Sequence, residues 1–183
     1  MATQIVYQCF KLTLAHPSMD IPYSSENDPY QTAFTNTIAF IKRLNICSSM
    51  IALVYFAAVK HDSCNPSLQN RPIEIIHGLA YGTCAGIIPL FILRLNHSKH
   101  ITYNRNLEHT HVFVSNMHLS SFALSILSVC AFGISEKLAK SPTLSSISYE
   151  IFHPFFGVFL VSNAIMNYMR EHMNRAKRGN RAT

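Results

Sequence analysis

Two short motifs in this 183-residue chain place metal-ligating side chains at a useful spacing. Glu74-x-x-His77 and Glu150-x-x-His153 each set a carboxylate and an imidazole three residues apart, on one face of a helix. Asp62 and Glu136 stand near the ends of the two helices that alternate with them. Carboxylate, E-x-x-H, carboxylate, E-x-x-H is the ligand order of a di-iron carboxylate bundle. The same histidines, His77 and His153, could instead be the two axial ligands of a haem. The competing expectation is plainer. A glutamate in the first turn of a helix is favoured by the helix dipole, and a histidine there anchors the helix at a polar boundary. We therefore expect no resident cofactor, with haem or a metal pair as the alternative.

The other candidate ligands form looser sets. His97, His100, His109 and His111 carry H-x-x-H and H-x-H spacings, which zinc or copper can use. Only Glu108 lies among them as a further ligand, so solvated loop histidines are expected. Cys9, Cys47, Cys64, Cys84 and Cys130 form no CxxC pair. They are expected to be small buried apolar residues rather than a disulfide framework.

The elements that would position these residues are long and apolar. Charged residues make up 13% of the chain and hydrophobic residues 49%, about half the usual charged share of a soluble domain. Ile73 to Leu95, Val112 to Ile134 and Ile147 to Met169 are runs long enough to cross a bilayer, and Leu44 to Val59 is a shorter fourth. Ile87 to Leu93 and Phe155 to Val161 are apolar on every side, which a soluble bundle would not be. The expected fold is all-α, an integral membrane protein of four transmembrane helices arranged as two hairpins. Its expected parts are a polar amino-terminal segment (1–33), a first hairpin (34–95), a polar connector (96–111), a second hairpin (112–169) and a basic tail (170–183). Asn65, Pro66 and Pro72 mark the loop of the first hairpin and Pro142 that of the second.

Within the spans, two patterns bear on packing. Gly78, Gly82 and Gly86 recur every four residues, making a face where another backbone can approach closely. It would serve either internal packing or a partner, and Pro89 beside it is expected to kink the helix. Ser115, His118, Ser121, Ser125 and Ser128 form one polar stripe on an apolar helix. The stripe should face other helices, because lipid cannot satisfy hydroxyls. Interhelical contact is expected there, and a solute path is the alternative.

Charge sets an orientation. Lys11, Lys42, Arg43, Arg94, Lys99, Arg105, Arg170, Arg175, Lys177, Arg178 and Arg181 would lie on one side of the four spans, and Lys60, Arg71, Lys137 and Lys140 on the other. Both termini are thus expected on the cytoplasmic or matrix side. The basic tail is expected to be an ordinary topogenic flank; of the ligands it could meet (anionic lipid, RNA or an acidic partner), lipid is expected at Arg175, Lys177 and Arg178 and nucleic acid is not. The first 19 residues hold one lysine and no arginine, unlike a signal peptide or an arginine-rich transit peptide.

The first two apolar runs also carry a resemblance. "IKRLNICSSMIALVYF", then "RPIEIIHGLAYGTCAGIIPLF", then "KHITYN" resembles the transmembrane protein 70 family of mitochondrial inner-membrane proteins. The similarity spans about residues 40 to 105. It implies an assembly factor or accessory subunit of a respiratory complex or ATP synthase, with both ends in the matrix and hydrophobic subunits as partners. It implies no catalytic residues. After residue 111 the chain departs, giving two more apolar runs where the family has a soluble matrix region.

Overall fold

The computed structural model describes residues 28–61, 70–99, 101–139 and 141–179. Asp62, Asn65, Pro66, Cys9, Cys64, His100 and Lys140 lie outside the described residues, as does the side chain of Glu74. Among the described residues, four long helices account for nearly everything: α1 (Pro29–His61), α2 (Asn70–Ser98), α3 (Tyr103–Ile134) and α4 (Pro142–Gly179). A π-helical turn, Ser135–Ala139, follows α3. There is no strand among the described residues. All four helices are long and apolar enough to cross a membrane.

Local chemistry explains where two of them start. Asp28 caps α1, its Oδ1 accepting the Tyr30 amide at 2.9 Å, and Pro29 takes the first helical position. Proline is well placed there because its missing N–H would have had no helical acceptor. Ser141 and Pro142 repeat the arrangement at α4, with the Ser141 carbonyl accepting the Ser145 amide at 3.1 Å. The helix start at Pro29 shortens the polar segment expected over 1–33.

Three further boundaries are corrected. The connector expected over 96–111 is helix at both ends: α2 continues to Ser98 and α3 begins at Tyr103. Asn106 pins that tight turn, its Nδ2 donating to the Leu93 carbonyl at 2.8 Å while its side chain is fully buried. The basic tail expected from residue 170 is the last part of α4, which is helical to Gly179. Pro72 and Pro142 were expected in loops, but Pro72 lies in the first turn of α2 and Pro142 opens α4, where proline costs a helix little. Further along, α2 continues without interruption through Pro89.

Specific contacts give the helix directions. Ser48 meets Thr83, Asn45 meets Gly86, and Phe34 stacks near His97. Each step down α1 is matched by an equal step up α2, so the two are antiparallel. Glu136 with Ser145, Phe132 with Tyr149 and Phe122 with Phe159 fix α3 and α4 antiparallel in the same way. Gly78 lies against His153 and Gly82 against Gly157, so α2 and α4 run parallel and touch directly. α4 packs against each of the other three helices.

The core is concentrated at one end. Phe34, Ile41, Leu93, Leu107, Val114, Ile165 and Met169 are fully buried there, with Leu90, Met166 and Met173 nearly so. Outside them stand Arg43, Arg105, His109, Arg170, Glu171, Arg175 and Lys177, all exposed. At the other end this arrangement is reversed. Ser48, Ser49, Thr83, Ser121, Ser125, Ser128, Ser145 and Ser148 are buried, and Ile76 is the only buried apolar side chain larger than alanine among the described residues. The exterior there is Met50, Ile51, Val54, Ile88, Leu119, Phe122, Leu127, Val129, Ile147 and Leu160.

Candidate functional site

The glycine face is built into the interior of the bundle. A side chain at Gly78 would meet the His153 carbonyl oxygen at 3.0 Å. One at Gly82 would meet the Gly157 carbonyl oxygen and Val161 Cγ2, each at 3.0 Å. One at Gly86 would overlap the Asn45 carboxamide, and one at Gly157 would overlap the Gly78 carbonyl. Gly78 and Gly82 thus admit α4, while Gly86 admits α1. Such close approach lets dispersion contacts form without bulky side chains, which is how helices associate where water supplies no driving force.

Next to Gly86 is a small polar cluster that the sequence patterns did not single out. Ser48 Oγ and Thr83 Oγ1 are 2.8 Å apart across α1 and α2. Each hydroxyl also reaches a carbonyl of its own helix, Asn45 O at 3.1 Å and Leu79 O at 2.9 Å. Asn45 is buried with neither carboxamide atom hydrogen-bonded, and Ser49 Oγ is likewise unpaired. The signal available was polar residues in an apolar run, "LNICSSM". Gly157, alone in "FFGVF", was the counterpart signal on α4.

The serine stripe is buried at Ser121, Ser125 and Ser128, and half-buried at Ser115 and His118. The three buried hydroxyls donate to carbonyls of α3 itself: His118 O at 3.0 Å, Ser121 O at 2.8 Å and Leu124 O at 2.8 Å. These back-bonds satisfy the donors without a partner helix. The stripe therefore contributes small volume rather than interhelical hydrogen bonds. His118 stacks on Phe159 of α4, with ring centroids 4.8 Å apart.

The two E-x-x-H motifs come to the same level, because Gly78 abuts His153. His77 and Glu150 are exposed, and His153 Nδ1 lies 3.0 Å from the Tyr149 carbonyl of its own helix. Glu136 accepts from Ser145 at 2.6 Å. Among the described residues no three His, Cys, Asp or Glu side chains form a metal-binding group.

The remaining candidates are dispersed. His97 stacks on Tyr103 and packs at a tilt against Phe34 rather than lying in a solvated loop, His111 is half-buried, and His109 is exposed. Cys47 and Cys130, expected to be buried, are exposed on the apolar exterior, where a thiol behaves as a small hydrophobe. Of the basic residues at the end of α4, Arg175 pairs with Glu171 and Lys177 lies 3.8 Å from Glu108 of α3, while Arg178 is exposed.

Searches against protein-family models, curated proteins and solved structures return no match to this chain.

Proposed function

We propose that the chain is a non-enzymatic, multi-pass membrane protein whose four helices cross the bilayer as two hairpins, and that it acts by holding other hydrophobic helices. The observation that supports this reading is the reversal of polarity along the bundle. At the serine-lined end, large apolar side chains point outward and small or hydroxyl-bearing ones point inward, which suits a lipid surroundings. At the methionine-cored end, large apolar side chains also fill the interior, and charges stand outside beside exposed Phe91, Leu95, Val112 and Phe113, which suits a passage from lipid to water. The helices, at 29 to 38 residues, run roughly 44 to 57 Å, against about 30 Å for the hydrocarbon core. A length beyond the bilayer is thus available for a water-facing bundle on the basic side.

The compartment follows from the resemblance of residues 40 to 105. On that basis the membrane is the mitochondrial inner membrane, the charged end lies in the matrix, and the client is a hydrophobic subunit of a respiratory complex or ATP synthase. The glycine face is taken up within the chain, so a client would meet the outer apolar face of α3, which carries Leu119, Phe122, Leu127 and Val129.

Single cysteines at Ser98, Gly179 and Ser141, in a background without native cysteines, test the topology. Membrane-impermeant labelling of sealed vesicles should reach Ser98→Cys and Gly179→Cys from one face and Ser141→Cys from the other. Labelling of all three from one face would sink the four-span reading. Removal of the protein should lower one respiratory complex or ATP synthase on native gels, and unchanged levels of all of them would sink the assembly reading.

A further inference from the structure

Lys42 and Arg94 are cations on neighbouring helices with nothing negative between them. The register set by Asn45 against Gly86 puts Lys42 level with Pro89 and Arg94 level with Thr37. The axial offset is about five residues, or roughly 7.5 Å. Helix side chains lean toward the amino terminus of their own helix. Because α1 and α2 are antiparallel, Lys42 leans toward the level of Arg94, and Arg94 leans toward the level of Lys42. Both residues are half-buried, and Arg94 Nε is buried with no hydrogen-bond partner. Among the described residues neither cation is paired with a carboxylate. A buried guanidinium donor without an acceptor is costly, and two adjacent like charges add to that cost.

The position along the bundle narrows what would relieve it. Exposed Phe91 and Leu95 flank Arg94, and exposed Ser98 and Lys99 lie one turn further out. Cys47, Met50 and Ile51, just past Lys42 on the other side, belong to the apolar exterior. The pair therefore marks the level at which the apolar surface gives way to the polar one.

We propose that Lys42 and Arg94 form a binding site for the phosphate of an anionic phospholipid, at the seam between α1 and α2. The inference rests on the membrane reading above. A guanidinium fork and an ammonium are suited to phosphate oxygens, the first by paired hydrogen bonds and the second as a point charge. The site is distinct from the basic residues at the end of α4, two of which are already matched by glutamates.

The test uses the full chain, purified in mild detergent, stripped of lipid and titrated with phosphatidylglycerol or phosphatidylcholine. Native mass spectrometry counts the lipid retained. The wild-type chain should retain one phosphatidylglycerol with about tenfold preference over phosphatidylcholine, the factor expected of a charge-assisted hydrogen bond. Arg94→Gln and Lys42→Gln should each remove most of that preference, and Arg178→Gln should leave it intact. Circular dichroism checks the fold of each variant, and if Arg94→Gln loses helicity then Lys42→Gln decides. Equal retention of both lipids, preference undiminished in the folded variants, or displacement of the lipid by millimolar inorganic phosphate would overturn the proposal. Alkaline extraction of vesicles separates the two readings. A chain released by carbonate fails the membrane reading, whereas one that stays embedded without a lipid preference fails only this one.

Discussion

Ser125 of α3 and Met169 of α4 are both inward-facing positions on long helices, at opposite ends of one bundle. Met169 is fully buried among Ile165, Met166 and Met173, and its neighbours Arg170 and Glu171 face outward. Ser125 is buried too, and its neighbours Leu124, Ile126 and Leu127 face outward. The helical period is the same at both ends and its sign is opposite. At the first end, large apolar side chains fill the interior and charged ones stand outside. At the second, apolar surface is left outside and the interior holds groups that lipid would not tolerate. One chain thus contains two opposite burial patterns, and the change between them falls within single helices rather than at a loop.

The contrast can be broken most directly at the methionine-lined core. Leu107→Ala removes a fully buried side chain from the cluster with Phe34 and Val114. The expected loss is about 2–5 kcal/mol. Leu127→Ala removes the same atoms from a position 62% exposed. In detergent or bilayer it should change stability by less than about 0.5 kcal/mol. Denaturant-titrated unfolding followed by circular dichroism compares them. Equal losses would mean that Leu127 is covered by protein.

Charge sharpens the same comparison from outside. Leu127→Arg puts a guanidinium on the apolar exterior, and insertion should be disfavoured by about 2.5–3.5 kcal/mol. Asn174→Arg, on the exposed face of α4 beside Arg175, should leave insertion unchanged. A glycosylation-based insertion assay reads both. Normal insertion of Leu127→Arg would remove lipid from that face.

Glycines give an internal control of moderate size. A side chain at Gly157 overlaps the Gly78 carbonyl, whereas one at Gly133 meets nothing within 4 Å. Gly157→Ala should therefore cost about 1–3 kcal/mol by overpacking. Gly133→Ala should be neutral or gain up to about 1 kcal/mol from helix propensity. Thermal melts in one detergent decide. A stable Gly157→Ala chain would show that α2 and α4 can separate at little cost.

How much of this was legible depends on which physics wrote the signal. The four helices were readable, because apolar runs such as Val112 to Ile134 carry their length openly. The glycine face and serine stripe were readable as inward-facing, because small and polar residues stand out against an apolar background. Their partners were not: nothing in Gly78-x-x-x-Gly82 names Gly157, since the match depends on the register of a distant helix. Polarity alone does not show that most of the connector is helical. His109, Thr110 and His111 look like loop residues, but Asn106 and Leu107 turn the segment into a helix by burial against α2 and the core. The E-x-x-H pair was legible only as a spacing, since spacing fixes a helix face but not which way that face turns, and Asp62 and the Glu74 side chain lie outside the described residues.

The smallest expected effect lies on the hydrogen bond between Ser48 and Thr83, the described side-chain pair linking α1 to α2 at 2.8 Å. Both hydroxyls have acceptors on their own helices as well, Asn45 O and Leu79 O. Each residue alone is therefore never stranded when the other is removed. Interhelical hydrogen bonds of this kind are worth about 0.6 kcal/mol. A cycle of Ser48→Ala, Thr83→Val and the double variant should give a coupling near that value. Replacing the hydroxyl of Thr83 by a methyl keeps its shape, so the coupling reports the bond and not a cavity. If the bilayer is absent around this end and water reaches the pair, the coupling should vanish. A coupling well above 1 kcal/mol would show instead that the two hydroxyls act with Asn45 and Ser49 as one network, and that their unpaired atoms are satisfied through it.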